Sequence, residues 1–244
     1  MAVTDSSAPE QAEPQLADAV RRKLFVVIAA YNEAEVIGRV VGELRAVYPN
    51  VVVVDDGSRD ETSARAREAG ASVLRHVLNR GQGAALQTGI SYALRMGAEL
   101  IVTFDADGQH RVEDIAALAA PIAAGEVDIC LGSRFLGDRD AVPFGRRLLL
   151  LGAVWFMRVT SGLKLSDAHN GLRAFSRRAA EALDIQLDRM AHASEIIDQI
   201  RASELPYREV AVRIRYTDYS LAKGQRSSAA LRVAWDYLVG RLLR

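Results

Sequence analysis

Four consecutive valines at positions 51–54 limit the folds open to this chain more than any other feature of its sequence. A β-branched run without a polar residue is typical of a strand covered on both faces, and such strands belong to parallel sheets with helices on each side. Further strands are predicted at residues 24–30, 72–76, 100–104 and 127–131. The chain should therefore build a largely parallel sheet at its centre.

Helical patterns lie between these strands. Apolar residues recur at helical spacing over residues 36–47, and further helices are predicted at 62–69, 83–96 and 112–124. This alternation predicts an α/β fold of Rossmann-like type with right-handed crossovers. A length of 244 residues is sufficient for one such domain.

The second half of the chain is less regular. Helices are predicted at residues 147–159, 176–183 and 194–202, and residues 208–216 alternate in polarity as a strand does. The expected division of the chain is a disordered tail at 1–22 with a short helical stretch at 15–23, one α/β domain at 23–228, and an amphipathic helix at 229–244.

Charge and cysteine content exclude several kinds of protein. The sequence has 31 basic and 31 acidic residues, so no overall positive field favours a nucleic-acid partner. Its single cysteine, Cys130, lies in the apolar run 127–131 and is interpreted as a buried structural thiol. The longest apolar run, residues 148–157, would span about 15 Å as a helix. A bilayer core requires roughly 30 Å, so this run is too short to cross a membrane.

Polar residues gather where three of the predicted strands end. They form the segments 30–33, 55–60 and 105–110. Each cluster alone is compatible with an ordinary helix cap or turn. In an open parallel sheet, however, ligands bind at the carboxyl ends of the strands, so the fold should bring all three clusters to one edge.

The third cluster has the clearest chemistry. Asp105 and Asp107 leave a strand two residues apart and can share one divalent cation, with Gln109 as a third oxygen ligand. Hard oxygen ligands suit Mg²⁺ or Mn²⁺ and not zinc. Such a cation neutralises a diphosphate and stabilises it as a leaving group. The four histidines show no ligand spacing and receive no role.

A glycine-rich segment at residues 79–83 precedes a predicted helix, where backbone amides can approach an anion. Gly81 and Gln82 are the candidates there. Neither a P-loop pattern nor the glycine pattern of dinucleotide-binding folds follows the first strand, which disfavours both of those classes.

Taken together, these segments resemble the family 2 glycosyltransferases of GT-A fold, and most of all the branch that makes dolichyl- or polyprenyl-phosphate sugars. The resemblance runs from about Leu24 to the C-terminus, and the order and spacing of its motifs make it specific. The matching motifs lie at residues 27–33, 53–58, 79–83, 105–110, 132–135 and 167–175.

The resemblance implies a role for named positions. Asp105, Asp107 and Gln109 would hold the Mg²⁺ or Mn²⁺, and the catalytic residues would be Asp107, Asp167 and Arg134. Ala30 stands where the family often has proline. The residues implied to bind the nucleotide are Ala30, Tyr31, Glu33, Asp55, Asp56, Gly81, Gln82, Asp105, Lys223 and Arg226. Lys223 and Arg226 belong, with Arg215, to a late basic segment that would close over the diphosphate.

The reaction that the resemblance implies is inverting transfer of a monosaccharide from a UDP- or GDP-linked donor to a polyprenyl phosphate. A phosphate monoester is mostly dianionic at pH 7 and needs no base, whereas a sugar hydroxyl does. Asp167 is the candidate base or acceptor-positioning group, and a loop cap is the alternative. A family 2 transferase that adds sugar to a saccharide hydroxyl in cell-surface polysaccharide assembly is the second hypothesis, and a nucleotide-binding module without catalysis is the third.

Two features favour contact with a membrane surface. Arg146 and Arg147 precede the apolar run 148–157. The family resemblance implies that Arg146 or Arg147 would join Arg134 at an anionic acceptor. The helix at 229–244 combines aromatic residues with arginines. Core packing is the alternative for both. We expect a cytoplasmic protein that binds the inner face of the membrane peripherally or through a small membrane partner subunit.

Overall fold

The valines of the second strand point alternately to two apolar cores, one on each face of the sheet. Val51 and Val53 pack into one core, and Val52 and Val54 into the other. The computed structural model describes residues 16–136, 163, 165–167, 170–187 and 192–215. Within them, the central strands are covered on both sides, as the valine run predicts.

The elements in chain order are α1 (Asp18–Lys23), β1 (Leu24–Ala30), α2 (Ile37–Arg45), β2 (Asn50–Asp55), α3 (Thr62–Glu68), β3 (Ser72–Arg75), α4 (Gln82–Arg95), β4 (Leu100–Asp105), α5 (Asp114–Ala123), β5 (Ile129–Ser133), β6 (Arg173–Ser176), α6 (Arg177–Ala182), α7 (His192–Ser203) and β7 (Tyr207–Ala211). Helices α2, α3 and α5 cover one face of the sheet, and α4, α6 and α7 cover the other.

The sheet has the strand order β3-β2-β1-β4-β6-β5-β7. Strand β1 pairs in parallel with β2 and β4, and β2 pairs in parallel with β3. Strand β5 is also parallel to β7, whereas β6 is antiparallel to both β4 and β5. The predicted α/β fold with a largely parallel sheet is confirmed.

Most predicted elements are present with small differences at their ends, and two strands differ more. The sequence does not predict β6, because its four residues begin with a charged side chain, Arg173, which is nevertheless 4% exposed. Strand β7 ends at Ala211, earlier than predicted, although the alternation continues to Ile214, which forms an isolated bridge with His110.

The ends of the chain are described only in part. The short helical stretch predicted at 15–23 is present as α1, and Leu16 lies in the core, so residues 16–22 of the predicted tail are folded. The helices predicted at 147–159 and 229–244 lie outside the described residues, and the domain division stays a prediction. Within the described part of the chain, no helix combines the length and apolar character needed to cross a membrane.

Candidate active site

The three polar clusters lie at one edge of the sheet. In the parallel ladders on either side of β1, Ala30 pairs with Asp55 and Ala29 pairs with Asp105. The carboxyl ends of β1, β2 and β4 are therefore level, and the segments that follow them leave the sheet side by side. The convergence expected from the fold is confirmed.

The turn formed by residues 105–110 alternates between accessible and buried positions. Gly108 has a positive φ of 74°, and the backbone N–H of Gln109 donates a hydrogen bond to Asp107 Oδ1 at 3.0 Å. The partly exposed residues are Asp105, Asp107 and Gln109, and the buried ones are Ala106, Gly108 and His110. The three predicted oxygen ligands are thus the three members of the turn that a ligand can reach.

The carboxylate of Asp105 is held by several groups. His110 Nε2 lies 2.8 Å from one oxygen, and the side-chain amide of Gln82 donates to the other at 3.3 Å. Both oxygens also lie against the backbone of Gly171, where any Cβ would overlap them. Burial raises the pKa of Asp105, but the hydrogen bond with His110 and nearby positive charges, Arg173 among them, outweigh it, so its pKa is lowered.

Asp107 lies in surroundings of the opposite kind. Burial raises the pKa of its carboxyl, and the negative charges of Asp105 and Glu33 raise it further. Two carboxylates therefore share this edge. The neighbours of Asp105 favour its ionised form, whereas ionisation of Asp107 costs free energy. A divalent cation between them would relieve that cost.

The donor set fits Mg²⁺ or Mn²⁺. Two carboxylates and the amide of Gln109 supply hard oxygen atoms, and Mg²⁺ is commonly bound through one or two carboxylates together with substrate phosphates. In the part of the chain that the structure describes, no three His, Cys, Asp or Glu side chains form a metal site by themselves. The rest of the coordination would come from water or from a bound ligand.

The loop after β1 is fastened to the loop after β2. Asn32 adopts a positive φ of 53°, and its backbone N–H donates to Ser58 Oγ at 2.9 Å. The backbone N–H of Glu33 donates to Thr62 Oγ1 at 2.8 Å. Glu33 itself is buried, whereas Tyr31 is 40% exposed. The two hydrogen bonds hold Tyr31 at the edge with an accessible side chain.

Asp55 is fully buried between its own loop, α3 and β3. Its carboxylate accepts hydrogen bonds from the backbone N–H of Ser58, at 2.8 Å, and from the hydroxyl of Ser63, and its exposed fraction is 0%. This position favours a role in shaping the turn over the direct nucleotide contact that the family resemblance implies. Ala30 is also buried, and its carbonyl oxygen accepts from the N–H of Asp56 at 2.8 Å.

Asp56 fixes the glycine loop in front of α4. Its carboxylate accepts hydrogen bonds from the backbone N–H groups of Arg80, at 2.9 Å, and Gly81, at 2.6 Å, and it lies 2.7 Å from His76 Nδ1. Gly81 has a positive φ of 95°. Its neighbour Gln82, the first residue of α4, reaches Asp105. Gln82 therefore contacts a candidate metal ligand, and Gly81 directly precedes it; their predicted role in nucleotide binding stays a prediction.

Arg134, which the family resemblance assigns to an anionic acceptor, and Asp167, the candidate base or acceptor-positioning group, bind each other. Arg134 Nε donates to Asp167 Oδ2 at 2.7 Å, Nη2 donates to Oδ1 at 2.8 Å, and the backbone N–H of Arg134 donates to Oδ2 at 3.1 Å. The two side chains are 10% and 1% exposed. A bidentate pair of this kind fixes the orientation of both groups. The carboxylate is thus better placed to orient the arginine than to accept a proton.

Two buried residues to which the sequence gives no role interact with the site. His110 is 4% exposed and hydrogen-bonds to Asp105, which its position at the end of the 105–110 motif does not reveal. Arg173 is also 4% exposed, and its Nε donates to the carbonyl oxygen of Asn170 at 3.0 Å. Burial lowers the pKa of Arg173 to about 10, against the opposing effect of Asp105 and Asp167. No sequence signal marks an arginine as buried in a strand.

The late basic segment is described only at its start. The guanidinium of Arg215 lies 3.7 Å from Glu43 and from Glu113, and the backbone N–H of Arg215 donates to the carbonyl oxygen of Gln109, in the 105–110 turn, at 2.8 Å. The binding of the diphosphate by the Arg215 side chain stays a prediction. The candidates outside the described residues are Arg146, Arg147, Lys223 and Arg226.

Comparison with known proteins agrees with this geometry. The family model described as Glycosyl transferase family 2 matches residues 25–184. An uncharacterised protein of Methanocaldococcus jannaschii is 35% identical to this chain, and the alignment covers 93% of this chain and 96% of that protein. The UDP-N-acetylglucosamine–dolichyl-phosphate N-acetylglucosaminyltransferase of Methanococcus voltae is 31% identical over 88% of this chain and 95% of its own. The polyprenol monophosphomannose synthase of Mycolicibacterium smegmatis is 31% identical over 87% and 84%.

Solved structures share the fold. Glucosyl-3-phosphoglycerate synthase of Mycobacterium tuberculosis matches with a TM-score of 0.63 at 21% identity, covering 92% of this chain and 85% of that chain. The same enzyme in complex with Mn²⁺, UDP-glucose and phosphoglyceric acid matches with a TM-score of 0.62 at 20% identity, over 90% and 81%. The predicted GT-A fold is confirmed. The family match, the relatives and the arrangement of the sheet edge together show that this chain belongs to glycosyl transferase family 2.

Proposed function

We propose that this protein is an inverting, metal-dependent glycosyltransferase that moves a monosaccharide from a UDP- or GDP-linked donor to a polyprenyl phosphate. The observation that carries the proposal is the alternating turn, which leaves Asp105, Asp107 and Gln109 accessible at the edge where β1 and β2 also end. The names of the relatives from M. voltae and M. smegmatis, which specify dolichyl phosphate and a polyprenol product, support the class of acceptor.

The donor nucleotide would occupy the ends of β1 and β2. Tyr31 and Glu33 would contact the nucleoside, above a turn to which Ala30 contributes its backbone. Asp55 and Asp56 would act by holding the two neighbouring loops in shape. Among the described residues, the side chain of Gln82 and the N-terminus of α4 would face the diphosphate, because no side chain caps this helix and N–H groups at a helix N-terminus favour an anion. Gly81, whose N–H is already donated to Asp56, would shape the turn in front of them.

A divalent cation would be held by Asp105, Asp107 and Gln109. When bound there, it would neutralise the charge that a departing nucleoside diphosphate carries. The residues of the chain prepare this site before any cation arrives: Asp105 is kept ionised by His110, and Gly171 leaves room for its carboxylate. Asp107 completes the pair and is the residue that we expect transfer to depend on most.

The acceptor would approach from the side of β5, where Arg134 and Asp167 lie. A phosphate monoester needs no general base at neutral pH, since it is already mostly dianionic. The bidentate bond between Arg134 and Asp167 supports this chemistry, because it uses the carboxylate to orient a cation. We extend the proposal to Arg146 and Arg147 at the acceptor and to Lys223 and Arg226 at the diphosphate.

The place of action that we propose is the cytoplasmic face of the membrane, where a polyprenyl phosphate presents its headgroup. The apolar run 148–157 and the amphipathic sequence at 229–244 would provide peripheral attachment, alone or with a small membrane partner subunit. Sedimentation of the full chain with vesicles that contain anionic lipid tests this part separately from catalysis.

A transfer assay tests the reaction. Purified protein is incubated with Mn²⁺ or Mg²⁺, a panel of radiolabelled UDP- and GDP-sugars, and polyprenyl phosphate in detergent or vesicles. We expect one donor to label the lipid fraction, EDTA to stop the labelling, and Asp107→Asn to reduce the rate by at least about 100-fold, the scale of losing an electrostatic group at the reacting centre. Absence of labelling with every donor would contradict the proposal.

The alternative acceptor, a saccharide hydroxyl, predicts a different response to Asp167→Asn. A hydroxyl needs a base, so its transfer should fall to background in this variant. With a phosphate acceptor, the same variant loses only the orientation of Arg134 and should keep a measurable rate. Parallel assays with the lipid phosphate and with oligosaccharides separate the two.

A further inference from the structure

The loop that carries Asp167 is fastened to β7 by a carboxylate. The two oxygens of Glu209 accept the backbone N–H of Ser166, at 2.9 and 2.8 Å. One of them also accepts the hydroxyl of Ser166 at 2.8 Å and the backbone N–H of Asp167 at 3.2 Å. Three donors from two consecutive residues therefore converge on one side chain, which is itself half-buried.

The same network reaches Arg134. The hydroxyl groups of Ser133 and Ser166 lie 2.7 Å apart, and Ser133 directly precedes Arg134 just as Ser166 directly precedes Asp167. Strands β5 and β7 pair in parallel, so the ends of both strands lie beside this loop. Each partner of the Arg134–Asp167 pair is thus held through the residue before it by bonds that lead to Glu209.

We infer that Glu209 is a positioning residue for the acceptor, which acts through Asp167 and Arg134 and does not touch the substrate. The inference rests on the proposed function, in which Arg134 meets the acceptor phosphate. Hydrogen bonds to a charged acceptor are stronger than neutral ones, so an ionised carboxylate restrains this loop more firmly than an amide or water would. A guanidinium must be held in place to meet a phosphate through directed N–H groups, and a small displacement weakens that contact.

The test compares two substitutions at neighbouring places on the sheet. Glu209→Gln preserves size but turns an amide NH₂ towards donors that need an acceptor. The matched control is Glu126→Gln, which breaks an exposed ion pair with Arg208, the residue directly before Glu209. We expect Glu209→Gln to raise the KM for polyprenyl phosphate about tenfold, the effect of losing roughly 1.4 kcal/mol, while the KM for the donor stays within about twofold. The control should change neither KM.

A double substitution tests the route of the effect. If Glu209 acts through Asp167, adding Glu209→Gln to Asp167→Asn should change the acceptor KM little further, because both act on one group. Full additivity of the two effects would overturn the inference, and so would an equal rise in both KM values for Glu209→Gln alone.

Two further arms keep the outcome interpretable. Should Glu209→Gln fail to fold, Ser166→Ala removes one donor of the same network and should raise the acceptor KM selectively, though by less; no selective rise would overturn the inference. Should the unsubstituted enzyme use a saccharide and not the lipid phosphate, the proposed acceptor is wrong. The same comparison of acceptor and donor KM, made with the saccharide, then still decides the role of Glu209.

Discussion

At the scale of single residues, Asp107 carries its charge at a cost to the folded protein. Burial and the neighbouring charge of Asp105 raise its pKa, so the ionised side chain destabilises the fold when no cation is bound. We expect Asp107→Asn to raise the melting temperature in EDTA by about 2–4 °C, equivalent to about 1 kcal/mol in a chain of this size. The same variant should lose the stabilisation that Mn²⁺ with UDP or GDP gives.

Asp114 provides a matched control for this prediction. Burial raises the pKa of its carboxyl too, but it accepts a hydrogen bond from the backbone N–H of Arg213 and is not one of the candidate metal ligands. Asp114→Asn should keep the full response to cation and nucleotide in the same melting experiment. If Asp107→Asn lowered the melting temperature in EDTA, the idea that burial and the charge of Asp105 destabilise the ionised Asp107 would be contradicted.

Single residues also show where sequence reasoning stops. Asp55 and Asp56 look equivalent in the sequence, but one closes its own turn and the other holds the glycine loop. The sequence gives Arg134 and Asp167 their roles one at a time, because nothing in the more than thirty residues between them reveals an ion pair. The kinds of residue at the site follow from the motifs, whereas their hydrogen-bond partners depend on packing that a linear pattern does not contain.

At the scale of elements, the segment before β6 sets the space for the Asp105 carboxylate. A Cβ at Gly171 would overlap both carboxylate oxygens, and Thr103 Oγ1 donates to the Gly171 carbonyl at 2.7 Å, which limits how far the backbone can retreat. We expect Gly171→Ala to reduce transfer at least about tenfold, since displacing a catalytic group by about 1 Å has effects of that order or larger. Initial rates at saturating donor measure this.

Gly42 in α2 is the control for this substitution. A Cβ there meets nothing within 4 Å, so Gly42→Ala should leave the rate unchanged and stabilise the helix by about 0.5–1 kcal/mol. An enzyme with Gly171→Ala that keeps the full rate would show that the carboxylate of Asp105 can move without consequence.

The junction between β5 and α6 gives a pH-dependent prediction. A hydrogen bond from Arg178 lowers the pKa of Asp128 below its ordinary 3.8, and the hydroxyl of Ser176 at 2.7 Å adds to this effect, against burial, which raises it. Because the pKa of Asp128 is lower in the folded protein than in the unfolded chain, its stabilising effect is complete above the unfolded pKa of about 4. The effect is lost as the pH falls through the pKa of the folded protein.

We therefore expect Asp128→Asn to reduce the free energy of unfolding by about 0.5–1 kcal/mol, a modest value because the Arg178 side chain is exposed. Urea unfolding should give the same difference at pH 7 and pH 5 and a smaller one below pH 4. Glu181→Gln, which breaks an exposed pair with Arg177 on the same helix, should cost only a few tenths of a kcal/mol. If the difference in unfolding free energy between the parent protein and Asp128→Asn grew on acidification, the lowered pKa of Asp128 would be contradicted.

At the scale of the whole molecule, a ligand that bridges β1, β2 and β4 should stabilise the entire sheet. We expect UDP or GDP with Mn²⁺ or Mg²⁺ to add about 2.7 kcal/mol to the free energy of unfolding when the nucleotide concentration is 100 times its Kd. A thermal-shift panel with and without EDTA measures this, and AMP serves as a control without a diphosphate. Equal shifts in the presence of EDTA would argue against a cation in the site.

The order of the central elements was predictable because each strand of the first half carries its own apolar pattern and each helix its own period. The antiparallel insertion of β6 between β4 and β5 was not, since it brings together strands from distant parts of the chain. The placement of Arg173 and Glu209 depends on this insertion. The part of the site built on β1, β2 and β4 was therefore predictable from the sequence, and the part built on β5, β6 and β7 was much less so.

The alternation along the 105–110 turn also limits how sequences of this kind can change in length. One residue gained or lost there would shift the positions on one side of the change by one place, so that accessible and buried residues beyond it would be exchanged. Val77 and Leu78, which are 97% and 74% exposed in the neighbouring loop, face no such restriction. Insertions and deletions should thus be tolerated better at Val77 and Leu78 than at Arg80 and Gly81, which Asp56 holds, while the six residues after Phe104 keep a fixed count.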